Sequence, residues 1–371
     1  MIYFIDPMSY GNLGIYDNSL LKHILKFKII FFGSSKYSYK SFNSNVLFIP
    51  LFKYSNKNNI ILKVSSYIFS LIRILIKVVF NKPKLVHIQW IKFWFLDFIF
   101  LLFLKLFGVK VIYTIHNVLP HKSSFLDKYK YKIYYKNVDI LIVHSESTKN
   151  ELIQKFKLHN KIKILGHGPL DILIEESYLE IEKQKIYKSL ELEGKIVFSV
   201  LGFQDFYKGT DLIIDLWKRE LKFQNQDKYK LVIWGKNKGV DFSDIQHIPN
   251  VHIRDEYISD IEFKSILQLT NVLLMPYRKI SQSGLLFTAI NENVPVIACN
   301  NGGLSEPFKF GEIGEVINTC SIDELLFAMN NIIDKIENDF FSNDEFQKVR
   351  NEFSWLKFSN ETQDLYESLI N

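Results

Sequence analysis

The chain has 371 residues, 47% hydrophobic, 15% aromatic and 23% charged. That balance excludes disorder, and at about 100–200 residues per domain the length divides into two domains. Two cysteines, Cys299 and Cys320, are too few for a disulfide framework or a four-cysteine zinc site and point to a reducing compartment. The net charge of +6 is unevenly spread, since residues 1–180 carry 25 Lys and Arg against 11 Asp and Glu (+14), and residues 181–371 carry 21 against 29 (−8). The basic half is expected to face something anionic: a membrane surface, nucleic acid or a phosphorylated ligand. With 5 arginines and no recognisable module, nucleic acid is the weakest of these.

In chain order, Met1–Tyr10 reads as a strand entering a loop, without the pattern of a secretory signal. The runs IYFI, KIIFFG, NVLFIP, LVHIQW, VKVIYTIH, VDILIVHS and IKILGHG are continuous Val/Ile/Leu segments of buried parallel type. Helical stretches lie between them near residues 59–80, 91–107 and 147–156. The segment 91–107 (IKFWFLDFIFLLFLKLF) has 17 residues and three charges, too short and too charged for a span of about 20 apolar residues. It and the helix at 59–80, which carries Lys63, Arg73 and Lys77 among apolar residues, leave two readings open. One is a pair of core helices with solvated lysine tips; the other is a basic, aromatic face resting on a bilayer. In the second half KIVFSVLG, YKLVIWG, VHIR, NVLLMPY and VPVIACN read as strands, with helices near 210–221, 261–269 and 322–336. Strand–helix alternation throughout implies two doubly wound α/β domains. The charged stretch 172–194 places the boundary near residue 180, giving domains 1–180 and 181–345 with a closing segment 346–371.

Two segments of the second half suit a phosphate. In LGFQDFYKGTD, Gly202 ends a strand, and Lys208 and Gly209 stand at a helix N-terminus, where a mobile ammonium adds to backbone N–H groups and the helix dipole. In RKISQSGLLFTA, Ser281, Gln282, Ser283 and Gly284 cluster donors at a strand-to-helix junction, and Thr288, one turn on, is placed to point into the same crevice. Helix capping by Ser and Gln explains the second segment taken alone; both segments lie at carboxyl ends of strands, where open sheets place ligands. In the first half, Gly11 and Asn12 follow the first strand, and His116, Asn117 and His121 follow VKVIYTI. Of three strand-end histidines, His116, His144 and His167, His116 is the best candidate for a site, and the other two read as structural.

Taken together, TIHNVLPH, VDILIVHSESTKNEL, LGHGPLD, LGFQDFYKG, LVIWGK and NVLLMPYRKISQSGLLFTAINENVPVIACNNGGLSE resemble, over nearly the whole chain, the bacterial family 4 glycosyltransferases of GT-B fold, in a Ser-Gln-Ser-Gly subgroup. The resemblance implies two Rossmann-like parallel-sheet domains facing a cleft, with a final helix after Phe353-Ser354-Trp355 crossing back to the first. It implies a UDP- or GDP-sugar donor with no further cofactor and no metal. The donor-binding residues would be Gly202, Lys208, Gly209, Gly235, Lys236, Gln282, Ser283, Gly284, Thr288 and Glu306, with His116 catalytic. Gly11, Asn12, Asn117 and His121 would meet the acceptor, a glycan or polyprenyl-diphosphate-linked sugar in cell-surface polysaccharide biosynthesis. Two positions depart from the family pattern. Asp205 stands where an arginine commonly pairs with the lysine, leaving Arg278 or Lys236 as replacements, and the usual glutamate pair is missing, its second member falling at Thr288.

The resemblance implies hexose transfer, with the diphosphate neutralised by Lys208, Gly209 and Ser283–Gly284 and with Glu306 on sugar or ribose hydroxyls. A retaining reaction would need no protein base; an inverting one would make His116 or His121 the nearest candidate. The other readings are a non-catalytic sugar-nucleotide-binding relative and a nucleotide-sugar epimerase. The expected location is cytoplasmic, peripheral on the inner face of the membrane.

Overall fold

The computed structural model of the chain describes residues 1–39, 41–53, 60–120, 124–159 and 161–371. They form two compact units, one of Met1–Leu170 with Ser354–Asn371 and one of Asp171–Phe353. The first runs β1 (Ile2–Asp6), α1 (Asn12–Lys22), β2 (Ile29–Ser34), β3 (Val46–Phe52), α2 (Ile60–Asn81), β4 (Leu85–Ile88), α3 (Trp94–Leu106), β5 (Lys110–Thr114), α4 (Phe125–Asn137), β6 (Ile140–Val143), α5 (Glu146–Phe156) and β7 (Ile162–Ile164). Its strands are parallel, in the order β3-β2-β1-β4-β5-β6-β7. Strands such as β1 and β4 are buried along their whole length, which is why they read as unbroken apolar runs. Helices α2 to α5 bury their inner sides against one face of this sheet.

The second unit runs α6 (Glu176–Ser189), β8 (Ile196–Leu201), α7 (Thr210–Arg219), β9 (Tyr229–Trp234), β10 (Val251–Arg254), α8 (Asp260–Gln268), β11 (Val272–Met275), α9 (Gly284–Asn291), β12 (Val296–Cys299), β13 (Gly314–Ile317), α10 (Ile322–Glu337) and α11 (Asn343–Glu352). Its parallel sheet has the order β10-β9-β8-β11-β12-β13. Ser259, Ser321 and Ser342 start α8, α10 and α11 by accepting a backbone N–H two or three residues into the helix.

The last helix, α12 (Trp355–Ile370), returns to the first unit. With α1 it covers the second face of the first sheet. Trp355 donates its indole N–H to the Pro169 carbonyl (2.7 Å), Ser359 Oγ donates to Leu20 O (2.9 Å), and Gln363 Oε1 accepts from the amides of Leu25 and Lys26 (2.9 and 2.8 Å). Gly166 and Gly168 make room for this packing: a Cβ there would come within 2.1 Å of the Phe358 ring and 2.7 Å of the Trp355 indole.

Four differences separate the structure from the sequence-based expectation. The division falls after Leu170, not near residue 180, because the charged stretch forms α6, which packs on α8 within the second unit. The closing segment 346–371 is split, since α11 packs on α9 and only residues from Ser354 onward join the first unit. The loop after the first strand is short, since Gly11 is the N-cap of α1 and Asn12 its first residue. Cys299 and Cys320 lie together, joined as a disulfide with Cα atoms 6.0 Å apart, a single pairing that the cysteine count did not signal.

Candidate functional site

Both sheets reverse strand order at one point, between β8 and β11 in the second unit and between β1 and β4 in the first. Loops leaving the carboxyl ends on either side of such a point diverge and open a crevice. In the second unit, four loops, after β8, β9, β11 and β12, meet at that edge. After β8 the chain turns at Gly202 (φ +90°), makes a short 3₁₀ turn at Phe206–Lys208 and enters α7 through Gly209 (φ +72°). A Cβ on Gly209 would sit 2.2 Å from the Pro276 carbonyl, so the β8 and β11 loops touch there. Gly235 (φ +139°), after β9, has its Cβ position 1.9 Å from the Gly202 carbonyl. The Asn300–Gly303 turn after β12 is held against the β11 loop by Gly303 N–H to Ser281 O (3.0 Å) and Asn301 Nδ2 to Tyr277 O (2.9 Å).

Lys208 sits at the centre of this edge. It is buried, donates to the Leu201 carbonyl (3.3 Å) and lies over the Tyr277 ring at 5.1 Å. Burial lowers its pKa to about 8, with Asp205 opposing the shift. The mobile, solvated ammonium expected from sequence is therefore a fixed one. Asp205 caps the 3₁₀ turn, accepting from the Tyr207 amide. Neither candidate for the missing arginine is unengaged. Arg278 grips both oxygens of Asp211 (2.6 and 2.7 Å), donates to Phe206 O (2.7 Å) and stacks on the Phe206 ring. Lys236 pairs with Asp255 at 2.9 Å, an exposed contact that costs little to break.

Ser283 is the N-cap residue of α9, nearly buried, with no side-chain bond to that helix; its amide meets Gln282 Oε1 at 3.1 Å. Gly284 opens α9. Thr288 is buried and its hydroxyl donates to the Gly284 carbonyl (2.7 Å), at the first turn of α9. Glu306 begins the short 3₁₀ turn Pro307–Lys309 after β12. Gln204 and Thr210 were passed over in the sequence. Buried Gln204 donates to Gly202 O (2.7 Å) and accepts from Thr210 Oγ1 (2.9 Å), and this pair pins the loop that carries Lys208.

In the first unit, His116 follows β5 and its Nε2 lies 3.0 Å from Gln89 Oε1. Gln89 Nε2 lies 3.0 Å from His87 Nε2, which Thr114 Oγ1 also approaches (2.7 Å), and His87 Nδ1 meets the Tyr366 hydroxyl of α12 (2.6 Å). With the Gln89 amide oriented this way, its N–H donates to His87 Nε2, His87 Nδ1–H donates to Tyr366, and His116 Nε2–H donates to Gln89 Oε1. That order leaves the lone pair of His116 on Nδ1. Tyr16 contacts the rings of His116, His144 and His167 at centroid distances of 5.0, 5.3 and 5.3 Å. Burial pushes His116 well below the usual imidazole range and His87 and His167 to about 3. His144 and His167 each use Nδ1 on a backbone carbonyl, Leu165 O and Gly168 O.

Gly11 (φ +56°) precedes α1 as its N-cap, Asn12 is its first residue and exposed, and Asn117 is half-buried in the turn after β5. His121 lies outside the described residues. Gln89 and His87 were missed in the sequence, although their i, i+2 spacing at the end of an apolar strand puts both on one face. Asp6, at the end of β1, and Asp17 of α1 are both buried. Burial raises Asp6 to about 6 and Asp17 well above the carboxylate range, and the neighbouring charge raises Asp17 further. Among the described residues, no group of His, Cys, Asp or Glu is arranged to hold a metal.

Residues 30–168 match the model of Glycosyltransferase Family 4. Sucrose-phosphate synthase from Thermosynechococcus elongatus superposes with a TM-score of 0.75 at 14% identity, covering 99% of this chain and 98% of that one. The chain is GT-B in fold, and its residues 30–168 are similar to Glycosyltransferase Family 4. HepE from Anabaena, solved in complex with UDP, gives a TM-score of 0.70 at 12% identity over 99% of each chain. WaaG, a glycosyltransferase involved in lipopolysaccharide biosynthesis, gives 0.67 at 13% identity over 98% of this chain and 99% of its own. No curated protein matches in sequence. The family match falls in the first unit of this GT-B chain, and with the structural neighbours it supports glycosyltransferase function.

Proposed function

We propose that the chain transfers a hexose from a UDP- or GDP-sugar, held on the second unit, to a glycan or polyprenyl-diphosphate-linked acceptor met by the first unit. The reading rests on the buried Lys208 ammonium at the strand-order reversal, flanked by Gly202 and Gly209 and lying over the Tyr277 ring. An ammonium has three N–H donors and this one spends one on Leu201 O, so a diphosphate takes the others. In a low-dielectric site that charge, with the N–H groups at α9, neutralises the departing diphosphate without a metal. Gly235, Lys236, Gln282, Ser283 and Glu306 complete the donor side. The UDP complexes of HepE, including one with UDP-glucose, support a nucleotide-sugar donor. His116 bonds the acceptor hydroxyl, Gly11, Asn12 and Asn117 are assigned to the acceptor as the resemblance implies, with His121 outside the described residues, and the leaving phosphate takes the proton in a retaining reaction. The enzyme works at the cytoplasmic membrane face in surface-polysaccharide assembly.

A second reading, a non-catalytic nucleotide-sugar-binding relative, draws on the engagement of Arg278 by Asp211 and of Lys236 by Asp255. Incubating the purified chain with a panel of UDP- and GDP-sugars separates the two. Release of sugar or nucleoside diphosphate that Lys208→Ala abolishes supports the transferase; binding without turnover supports the relative; epimerised donor contradicts both.

A further inference from the structure

Helices α2, α3 and α4 pack side by side, α2 on α3 and α3 on α4, and each buries one side in the same core. Their outer sides therefore point the same way, off one face of the first sheet. A soluble helix normally presents polar residues there. α2 does the opposite. Its inner side buries Tyr67, Leu71, Ile74 and Val78, while Ile68, Ile72, Ile76 and Val79 recur every three to four residues on the exposed side, with Ile61 two turns before them and Phe69 and Phe80 beside them. α3 repeats the arrangement with exposed Phe95, Leu102, Phe103 and Leu106, and α4 with Phe125, Leu126, Tyr129 and Ile133. Phe80 is 80% exposed, Leu106 77% and Phe125 75%. Single exposed apolar residues are ordinary, but a layer shared by three adjacent helices is not.

Charge selects the occupant. Residues 60–137 contain 13 Lys and Arg and two acids, Asp97 and Asp127. Asp97 is buried and accepts from the Tyr67 hydroxyl and the amides of Lys92 and Phe93 (2.5, 2.9 and 2.8 Å), and Asp127 caps α4 and pairs with Lys130. The cations thus outlast local pairing: Arg73 lies over the Phe69 ring, Lys82 and Lys84 follow α2, and Lys128 and Lys136 are exposed on α4. No helix among the described residues is long and apolar enough to cross a bilayer. An apolar layer with a cationic surround and no span is the chemistry of a surface lying in the interface of an anionic bilayer.

We propose that the exposed side of α2, α3 and α4 docks the first unit on an anionic lipid surface, apolar side chains entering the headgroup–acyl boundary and lysines meeting lipid phosphates. This deepens the reading above and rests on it only for the purpose of docking, access to a lipid-linked acceptor. The full chain is to be floated with vesicles of phosphatidylcholine alone and of phosphatidylcholine with phosphatidylglycerol. Wild type should bind the anionic vesicles, less so in high salt, and the neutral ones weakly. A charge near such a surface contributes about 1 kcal/mol, roughly fivefold in binding, so Lys128→Gln with Lys136→Gln should cost roughly twentyfold on anionic vesicles only. Ile72→Glu with Ile76→Glu and Phe103→Glu should lower binding at least roughly tenfold, with unchanged melting temperature because these side chains are exposed. No binding of wild type, undiminished binding of the glutamate variant, or equal binding to neutral vesicles overturns the proposal. So does a wild-type dimer that the glutamate variant makes monomeric, which would make the face a contact between copies. A UDP and GDP thermal shift on the same samples separates the two readings. Vesicle binding without a nucleotide shift sinks the transferase reading alone, and a nucleotide shift without vesicle binding sinks this one alone.

Discussion

A single amide joins two imidazoles: Gln89 Oε1 lies 3.0 Å from His116 Nε2, and Gln89 Nε2 lies 3.0 Å from His87 Nε2. The His87 end is anchored through its other nitrogen to Tyr366 of α12, so the closing helix fixes the ring orientation of the candidate site histidine. Gln89→Leu removes the acceptor for His116 Nε2–H and frees the tautomer. The expected result is roughly a tenfold fall in kcat, the value of one buried hydrogen bond, with donor KM little changed. Gln89→Glu keeps the acceptor, adds a charge that favours the imidazolium, and should move the pH–rate profile upward. Steady-state kinetics of the two variants check this; an effect confined to KM would contradict it.

Lys208→Met is expected to fold, since it replaces a buried cation with an apolar chain of similar length. Nucleoside diphosphate affinity should fall by roughly ten- to a hundredfold, the loss of a charge-assisted contact. Burial holds the free ammonium at about 8. Its charge is therefore present below that pH and lost above it, and binding should weaken as pH rises through 8 in the wild type and stay flat in the variant. Titration calorimetry across that range reads both effects.

Gly209→Ala and Gly235→Ala place a Cβ 2.2 Å from Pro276 O and 1.9 Å from Gly202 O, each at positive φ. Backbone carbonyls cannot swing aside as side chains do, so each substitution should cost more than about 2 kcal/mol. Gly108→Ala, at φ +72° with open space around the Cβ, should cost about 1–2 kcal/mol. Urea denaturation of the three variants orders them; equal costs would mean that the loops relax.

Buried His87 and half-buried His167 set an acid limit on the first unit. His87 and His167 are held near 3 by burial, against 6.5 for the free imidazole. A lowered native pKa means that the unfolded chain binds more protons between those values, so stability is complete above about 6.5 and is lost as pH falls toward 3. Each histidine adds up to about 1.4 kcal/mol per pH unit to that slope. His87→Gln should flatten it by one proton, measured as urea midpoints from pH 7 to pH 4; an unchanged slope would show that His87 titrates normally.

Strand runs such as IYFI and VPVIA were legible because both faces of these strands are buried, so the pattern is simply continuous. β13 was not: GEVI is four residues long, and Gly314 sits at φ +144° against the Val296 backbone. α1 was hidden because Asp17, Asn18 and Ser19 are buried in it, and buried polar residues erase the amphipathic signal. At the site, the Lys208–Gly209 segment and the strand-end position of His116 could be read from local order. The burial of Lys208 under Tyr277, the capture of Arg278 by Asp211 and the bridging role of Gln89 could not, because each depends on a partner at least 27 positions away.

Thermal unfolding of the full chain with UDP, GDP and the free monophosphates, for wild type and Lys208→Met, tests directly whether the second unit holds a nucleoside diphosphate on Lys208. A ligand that binds the native state alone raises the transition, by about 2.7 kcal/mol at a hundred times its Kd. The expected result is a clear rise with UDP or GDP, a smaller one with the monophosphates, and the loss of most of the difference in the variant. No rise with any nucleoside diphosphate, or an equal rise in both proteins, would contradict the account.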